Sequence, residues 1–249
     1  MENYPNIFLL LIGVNYNMFK EKSVICLILA RGGSKGVPKK NIKLIGTKPL
    51  IVHSIDTAKN VAEIDKIYVS TEDSEIKKIS LENDAIVIDR PSELAQDTSD
   101  YLESVQHLLN NIPENNSNSI VVLLETTSPI RLSFDITKCI NLLDEKTDCV
   151  AGVGEVKVSP GYMYEEKNGF LQRYDSTITT TNRQQMKKLF YYNGSILVTT
   201  INFLKSQHDT VFGGRMKGFI LDEKSSFDID TELDFEICDF LLKNNLSLN

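Results

Sequence analysis

An unbroken apolar run, followed at once by a stretch rich in glycine and lysine, constrains this chain more than any other feature. The run is VICLILA at residues 24–30, and three of its members are β-branched. A run without polar alternation is typical of a strand that is buried on both faces, as in a parallel sheet. The sequence therefore predicts a central strand at residues 24–30.

The residues after this strand, from 31 to 43, suit the binding of an anion. They contain three glycines and five cationic side chains, which are Arg31, Lys35, Lys39, Lys40 and Lys43. Glycine lets backbone N–H groups approach a ligand closely, and cationic side chains around such groups complete an anion site. The stretch matches neither the P-loop nor the G-x-G-x-x-G dinucleotide motif. It predicts a phosphate-binding loop of another kind, with a basic surface loop as the alternative.

The overall charge argues against two classes of partner. The formal net charge of the 249 residues is −7, which disfavours a general nucleic-acid or membrane surface and makes the cationic loop stand out. The four cysteines, Cys26, Cys139, Cys149 and Cys238, lie in apolar surroundings without C-x-x-C spacing. They indicate small buried side chains in a reducing compartment, so we expect a cytoplasmic protein.

The first residues are expected to lie outside the fold. Residues 7–14 are apolar, but this run is too short to span a bilayer. The six residues before it contain no Lys or Arg, which gives little support to a secretory signal. We therefore expect an N-terminal extension at residues 1–22 and a single domain at residues 23–249.

Apolar strands alternate with helices of roughly ten residues along most of the chain. Further strands are predicted at residues 66–71, 85–88, 120–124, 149–153, 195–199 and 218–221, and helices at 49–58, 74–83, 101–110, 134–143 and near the C-terminus to about residue 243. This alternation predicts an α/β fold with a doubly wound, mostly parallel sheet. Ligands bind such sheets beyond the carboxyl ends of the strands. Residues 31–40, Arg90 and residues 125–131 all follow predicted strands, so we expect them to converge.

Two later stretches depart from this pattern. Residues 155–189 are polar and rich in tyrosine and threonine, which indicates an irregular, β-rich arm that leaves the core. Near the C-terminus, Asp228 and Asp230 are separated by one residue, so in an extended segment both project to one face. Two such carboxylates suit Mg²⁺, which usually takes one or two carboxylates together with substrate phosphates. A solvated entrance to a helix is the alternative reading of this pair.

Four stretches together resemble the cytidylyltransferases that activate sialic acids and related nonulosonic acids. They are LARGGSKGVPKKN at 29–41, RPSELAQD at 90–97, TSPIR at 127–131 and FDIDTELD at 227–234. The resemblance implies a Rossmann-like core of the nucleotide-diphospho-sugar transferase type and a homodimer in which the arm packs against the partner. It also implies an Mg²⁺-dependent reaction of CTP with a nine-carbon 2-keto sugar acid, which yields the CMP-sugar and pyrophosphate.

The resemblance also implies roles for individual residues at matching positions. The implied nucleotide-binding residues are Arg31, Gly32, Ser34, Lys35, Lys40, Asn41 and Arg90. The implied sugar-binding residues are Glu125, Arg183, Asn193 and Phe212, and the implied metal ligands are Asp228 and Asp230. The implied catalytic residues are Arg31, Lys40 and Asp230, and either Asp230 or a metal-bound water is expected to take the proton of the attacking hydroxyl.

Two departures from the family pattern leave the identity of the sugar substrate open. Glu125 stands where the family often has Gln, and Tyr191 stands where it often has Arg. N-acetylneuraminate is the expected sugar, with legionaminic acid or another nonulosonic acid as the alternative. A catalytically silent nucleotide sensor is the non-enzymatic alternative, although the intact pair of Asp228 and Asp230 argues against it.

Overall fold

The computed structural model describes residues 22–115, 119–175, 177 and 187–244. Apart from Lys22, the predicted extension at residues 1–22 lies outside these ranges. Within them the chain forms a seven-stranded sheet with helices on both faces and two separate two-stranded ribbons.

The strands follow the alternation that the sequence predicts. In chain order they are β1 (Val24–Leu29), β2 (Leu44–Ile45), β3 (Lys48–Pro49), β4 (Lys66–Thr71), β5 (Ile86–Asp89), β6 (Ile120–Leu123), β7 (Cys149–Glu155), β8 (Tyr164–Lys167), β9 (Phe170–Arg173), β10 (Phe190–Thr200) and β11 (Met216–Ile220). The main sheet has the order β11-β7-β10-β6-β1-β4-β5, so β1 lies near its centre as expected.

The α-helices of the described residues connect these strands. They are α1 (Leu50–Lys59), α2 (Ser74–Glu82), α3 (Tyr101–Asn110), α4 (Ser133–Leu142), α5 (Ile201–Ser206) and α6 (Glu232–Lys243). Side chains next to the first turns determine where three of these helices begin. Asp73 and Asp100 accept hydrogen bonds from backbone N–H groups of α2 and α3, respectively. Thr231 forms a capping box with Asp234 at the start of α6.

The prediction of a mostly parallel sheet is confirmed. Strand β1 pairs in parallel with β4 and β6, β4 with β5, and β7 with β11. Strand β10 is the exception, because it lies antiparallel between β6 and β7 and has a register irregularity between Tyr192 and Leu197. The carboxyl ends of β1, β4 and β6 therefore meet at one edge, where the loops after them come together.

The two faces of β1 pack into separate cores. Val24, Cys26 and Ile28 join a cluster with α1, α2 and α4, whereas Ile25 and Leu27 join a cluster with α3 and α5. A strand that is covered on both faces has no polar alternation. This is why its sequence reads as an uninterrupted apolar run.

A third, smaller core attaches the C-terminal helix to the loop that follows β1. It includes Val37 from that loop, Ile45 from β2, Ile229 from the segment before α6, and Phe235 and Cys238 from α6. Val37 and Ile229 are fully buried. This cluster therefore holds the cationic loop beside the segment that carries Asp228 and Asp230.

The predicted arm contains a β-ribbon. Strands β8 and β9 pair antiparallel, and every residue of both strands is exposed. The large side chains of Phe170 and Leu171 are 75% and 70% exposed. Residues 178–186 of the arm, with Arg183 among them, lie outside the described part of the chain.

Two expectations from composition can be compared with the structure. All four cysteines are buried with free thiols, as the sequence indicates. In the described ranges, the helices are too short or too polar for a membrane-spanning segment.

Candidate active site

The loops at the carboxyl ends of β1 and β6 enclose a cavity of about 370 Å³, which we call the first cavity. Its lining includes seven residues that the sequence singled out: Arg31, Ser34, Lys35, Lys40, Asn41, Glu125 and Asp230. The expected convergence of the cationic loop with the segment after β6 is therefore present, and Asp230 joins them, whereas Arg90 is absent from this lining.

Close backbone packing holds the cationic loop against the aspartate segment. A Cβ atom at Gly36 would lie 1.9 Å from the backbone oxygen of Asp230, a distance at which atoms overlap. The amino group of Lys40 donates a hydrogen bond of 2.6 Å to the backbone oxygen of Ile229. Gly36 is thus needed for contact within the protein, which differs from the role in ligand approach that the sequence suggested.

The side chain of Asn41 organises the loop. Its Nδ2 donates to the backbone oxygen of Arg31 at 2.8 Å, and its Oδ1 accepts from the hydroxyl of Thr126 at 2.6 Å. These two bonds connect the start of the loop with the segment after β6. Asn41 lines the cavity, but its amide is engaged within the protein, so it positions the neighbouring cations.

One carboxylate holds two of the loop cations. Asp97 forms ion pairs with Nη1 of Arg31 and Nζ of Lys35, both at 2.9 Å. The pKa of Asp97 is lowered, first by its bond to Lys35. The two side chains predicted to bind phosphate thus share an anionic partner that the sequence reading did not identify.

Two predicted nucleotide-binding residues are absent from the lining of the first cavity. The N–H group of Gly32 donates to Oε1 of Glu72 at 2.7 Å, and a Cβ at Gly32 would lie 2.5 Å from Oδ2 of Asp73. Arg90 is buried, and its guanidinium donates to the hydroxyl and the backbone oxygen of Ser70 in β4. Both contacts stabilise the ends of strands beside the cavity.

The two C-terminal aspartates flank Ile229, which is fully buried. Asp230 lines the first cavity, whereas Asp228 lines an adjacent cavity of about 560 Å³ that Tyr191 also lines. Burial raises the pKa of the Asp228 carboxyl and the charge of Asp230 adds to the rise, although hydrogen bonding by Thr127 opposes it. Its Oδ1 is buried without a hydrogen-bond partner among the described residues.

This pair of carboxylates fits a hard cation. An unpartnered carboxylate oxygen beside a second carboxylate is a donor set that Mg²⁺ accepts when substrate oxygens complete it. Within the described ranges, no cluster of three or more His, Cys, Asp or Glu side chains could hold a metal ion alone. Phosphate oxygens would therefore have to supply the remaining ligands.

Glu125 stands at the wall between the first cavity and a second cavity of about 340 Å³. Its carboxyl group lies over Gly194, where a Cβ atom would come within 2.6–2.8 Å of it. Burial, followed by the negative charge of Asp228, raises the pKa of Glu125 to about 7, although the charge of Arg131 opposes the rise. The carboxyl group is therefore costly to ionise among these neighbours.

The second cavity contains one further predicted sugar-binding residue. Phe212 lines it, with its ring 5.1 Å from that of Tyr192. Asn193 is buried behind the site, where its Oδ1 accepts from the backbone N–H of Ser195 and its Nδ2 has no partner among the described residues. Arg183 lies outside the described residues, so its predicted role stays a prediction.

Sequence reasoning missed two residues of the site. Tyr101 lines both cavities, and loss of solvent around its hydroxyl, followed by the charge of Glu125, raises its pKa well above the usual value. Asp97 is the second, because it pairs with Arg31 and Lys35 of the cationic loop. Tyr101 is the first residue of α3, and only the packing of this helix brings its side chain to the cavities.

The doubly wound sheet, with a cationic loop beyond the carboxyl end of β1, defines an α/β protein of the class that binds ligands at this edge of the sheet. The cytidylyltransferase family model matches residues 25–238, so the chain belongs to the cytidylyltransferase family.

Three curated relatives cover most of this chain. It is 34% identical over 233 residues to post-translational flagellin modification protein B of Campylobacter coli. The alignment covers 88% of this chain and 95% of that protein. It is 32% identical over 231 residues to a CMP-N,N'-diacetyllegionaminic acid synthase of Campylobacter jejuni, with 90% and 97% coverage. It is 31% identical over 216 residues to an N-acylneuraminate cytidylyltransferase of Streptococcus agalactiae. That alignment covers 85% of this chain but only 51% of the relative.

A solved structure confirms the fold. The structure of CMP:2-keto-3-deoxy-manno-octonic acid synthetase complexed with CTP superimposes with a TM-score of 0.69 at 15% identity, covering 90% of this chain and all of that one. The predicted α/β nucleotidyltransferase architecture is thus correct.

Proposed function

We propose that this protein transfers the cytidylyl group of CTP to the anomeric hydroxyl of a nonulosonic acid, which releases pyrophosphate. The observation that carries the proposal is the first cavity of about 370 Å³, which Arg31, Lys35, Lys40 and Asp230 line together. Membership of the cytidylyltransferase family supports the reaction class.

The main obstacle to this reaction is negative charge, and the loop residues offset it. CTP, the sugar carboxylate and the transition state are all anionic. Arg31, Ser34, Lys35 and Lys40 bind the phosphates, so that positive charge is already in place where negative charge develops. Asn41 keeps this loop in position through its two internal hydrogen bonds.

Asp228 and Asp230 hold the Mg²⁺ ion in this proposal. When bound, the ion neutralises phosphate oxygens and helps to orient the substrates. Asp230 lines the cavity and accepts the proton of the attacking hydroxyl, while Lys40 is kept beside it by the backbone oxygen of Ile229.

The sugar lies toward the second cavity, against Glu125 and Phe212, with Asn193 behind and Arg183 at its carboxylate. N-acetylneuraminate is the first candidate sugar, since relatives with the name N-acylneuraminate cytidylyltransferase match 85% of this chain. A legionaminic-type sugar is the second, favoured because the legionaminic acid synthase matches over 97% of its own length.

The exposed ribbon supports a homodimer. Apolar side chains such as Phe170 and Leu171, which are exposed in one copy, are suited to burial against a second copy. Since CTP and free cysteines are both features of a reducing cell interior, we place the reaction in the cytoplasm.

A turnover assay tests this proposal. The full chain is incubated with CTP, Mg²⁺ and a panel of nonulosonic acids, and pyrophosphate release is measured. We expect turnover with at least one sugar of the panel and none without sugar. CTP binding without turnover of any sugar would favour the sensor alternative and contradict the enzyme.

A further inference from the structure

Arg131, the last residue of the TSPIR stretch, is a buried cation that lines neither the first nor the second cavity. It is only 3% exposed. Burial of a charged group is costly unless hydrogen bonds and opposite charges compensate for it. Since Arg131 does not line a cavity, this compensation has to come from contacts within the protein.

Within the described part of the chain, the hydrogen bonds of the guanidinium group go to the backbone of its own turn. Nε donates to the backbone oxygen of Ser128 at 2.9 Å, and Nη2 donates to the backbone oxygen of Glu125. Nη1 is buried and has no partner among the described residues. A planar group with forked donors can bind two carbonyl oxygens at once. Arg131 therefore closes the turn at residues 125–128 by bridging its two ends.

The turn that Arg131 closes is one wall of the first cavity. Glu125, Thr126 and Thr127 all line this cavity. A change in the shape of the turn would therefore move three lining residues together.

The same turn is hydrogen-bonded to the cationic loop and to the aspartate segment. The hydroxyl of Thr126 donates to Oδ1 of Asn41 at 2.6 Å, and Asn41 in turn holds the start of the loop. The backbone oxygen of Thr127 accepts from the N–H group of Ile229 at 2.9 Å. The shape of the turn therefore influences the spacing of the two segments.

We propose that Arg131 is a positioning residue for cytidylyl transfer, which sets the spacing of the cationic loop and the aspartate segment by closing the turn after β6. This inference rests on the proposed function and adds to it a residue that touches neither substrate. Misplacement of reacting groups by about 1 Å can lower a rate by about 100-fold. The phosphate-binding cations belong to the loop itself, so turnover depends on Arg131 more than CTP binding does.

The charge of Arg131 is the alternative cause of any effect, because it also interacts with the carboxyl groups of Glu125 and Asp228. Arg131→Lys separates charge from hydrogen bonding, since it keeps the positive charge but lacks the planar, forked donors. Arg131→Met removes both. If the two bonds to the turn are what matters, both variants should lose activity to a similar degree.

The experiment measures pyrophosphate release from CTP and the sugar that the wild type uses best, and compares the wild type with Arg131→Lys and Arg131→Met. We expect kcat to fall by about 10–100-fold in both variants. The Kd for CTP, measured by calorimetry, should change by less than about 3-fold, as for a group that acts mainly in the transition state.

Leu109→Ala is the matched control for loss of stability. Leu109 is fully buried near the end of α3 and lines neither cavity. The cavity left by its truncation should lower the Tm, while kcat of the folded variant stays within about 2-fold of the wild type.

The possible results separate this inference from the proposed function. Full kcat in Arg131→Lys would assign the effect to charge, and an equal fall of kcat in Leu109→Ala would assign it to stability. Either result, or a loss of CTP binding that accounts for the whole loss of kcat/KM, would overturn the inference while the cytidylyltransferase reaction stands. Absence of turnover by the wild type with every sugar of the panel would contradict both. If Arg131→Met does not fold, Arg131→Lys decides the outcome alone.

Discussion

At the scale of single residues, Glu125 links folding to pH. Its pKa in the folded protein is raised to about 7 from an ordinary 4.5, first by burial, and the charged groups that face it are Asp228, Arg131, Lys40 and Asp230. A carboxyl group whose pKa is raised by folding binds its proton more tightly in the folded state. The free energy of unfolding therefore falls as the pH rises from about 4.5 to about 7, and stays lower above that range.

This linkage predicts that Glu125→Gln stabilises the ligand-free protein at alkaline pH. The variant removes the cost of ionisation, so its free energy of unfolding should exceed that of the wild type by about 1–3 kcal/mol at pH 8. At pH 5 the difference should shrink to less than ~1 kcal/mol. Urea denaturation at the two pH values measures it, and an equal difference at both would contradict the raised pKa.

Asp97 leads to a second prediction at this scale. Its carboxylate pairs with Arg31 and Lys35, which we propose to bind the phosphates of CTP, so in that proposal it competes with the nucleotide. All three side chains are at least one-third exposed, so solvent screens both pairs and each contributes little. We therefore expect Asp97→Asn to bind CTP about 2–10-fold more tightly, as measured by calorimetry.

A matched control for Asp97 is the carboxylate that pairs with another cation of the same loop. Glu75 pairs with Lys39 at 2.8 Å, and Lys39 is absent from the lining of the first cavity. Glu75→Gln should leave the Kd for CTP unchanged. Weaker CTP binding by Asp97→Asn would mean that Asp97 serves to organise the cations instead of competing for them.

At the scale of elements, the contact between the cationic loop and the aspartate segment gives a test with two glycines. Gly36→Ala would place a Cβ atom 1.9 Å from the backbone oxygen of Asp230, whereas a Cβ at Gly33 would meet nothing within 4 Å. We expect Gly36→Ala to lower stability by about 1–3 kcal/mol, in the range of overpacking. Gly33→Ala should change it by less than ~0.5 kcal/mol. Equal Tm values for the two variants would show that the two segments are not in close contact.

The strands also show how much of the fold can be predicted from the sequence. Strand β1 and the loop after it were predictable, because burial on both faces and the abrupt change to glycine and lysine are visible in the chain itself. The antiparallel placement of β10 was not, since an apolar strand of either direction has the same composition.

The same limit applies to the candidate site. The positions of Lys40 and Asp230 followed from motifs, and the structure brings them together. The pairing of Asp97 with Arg31 and the raised pKa of Glu125 did not follow, because both depend on tertiary neighbours and loss of solvent. The hydrogen bond from the Gly32 N–H group to Glu72 also depends on tertiary neighbours and could not be predicted.

At the scale of the whole molecule, the exposed β8–β9 ribbon makes a prediction about assembly. If its apolar side chains lie against a second copy, deletion of residues 165–169 should shift the protein toward a monomer. Light scattering measures the mass, and circular dichroism checks that the main sheet is intact. An unchanged mass with full activity would mean that the ribbon is a surface flap.

The central claim is that cytidylyl transfer takes place in the first cavity and depends on Asp230, which lines it, together with the neighbouring Asp228. Asp230→Asn keeps the shape of the side chain and removes its charge. The most direct measurement is pyrophosphate release from CTP and a nonulosonic acid, compared between the wild type, Asp230→Asn and the wild type with EDTA. We predict robust release by the wild type, a decrease of about 100-fold or more in the variant, and loss of activity on chelation. Normal turnover by folded Asp230→Asn, or full activity in EDTA, would contradict the account.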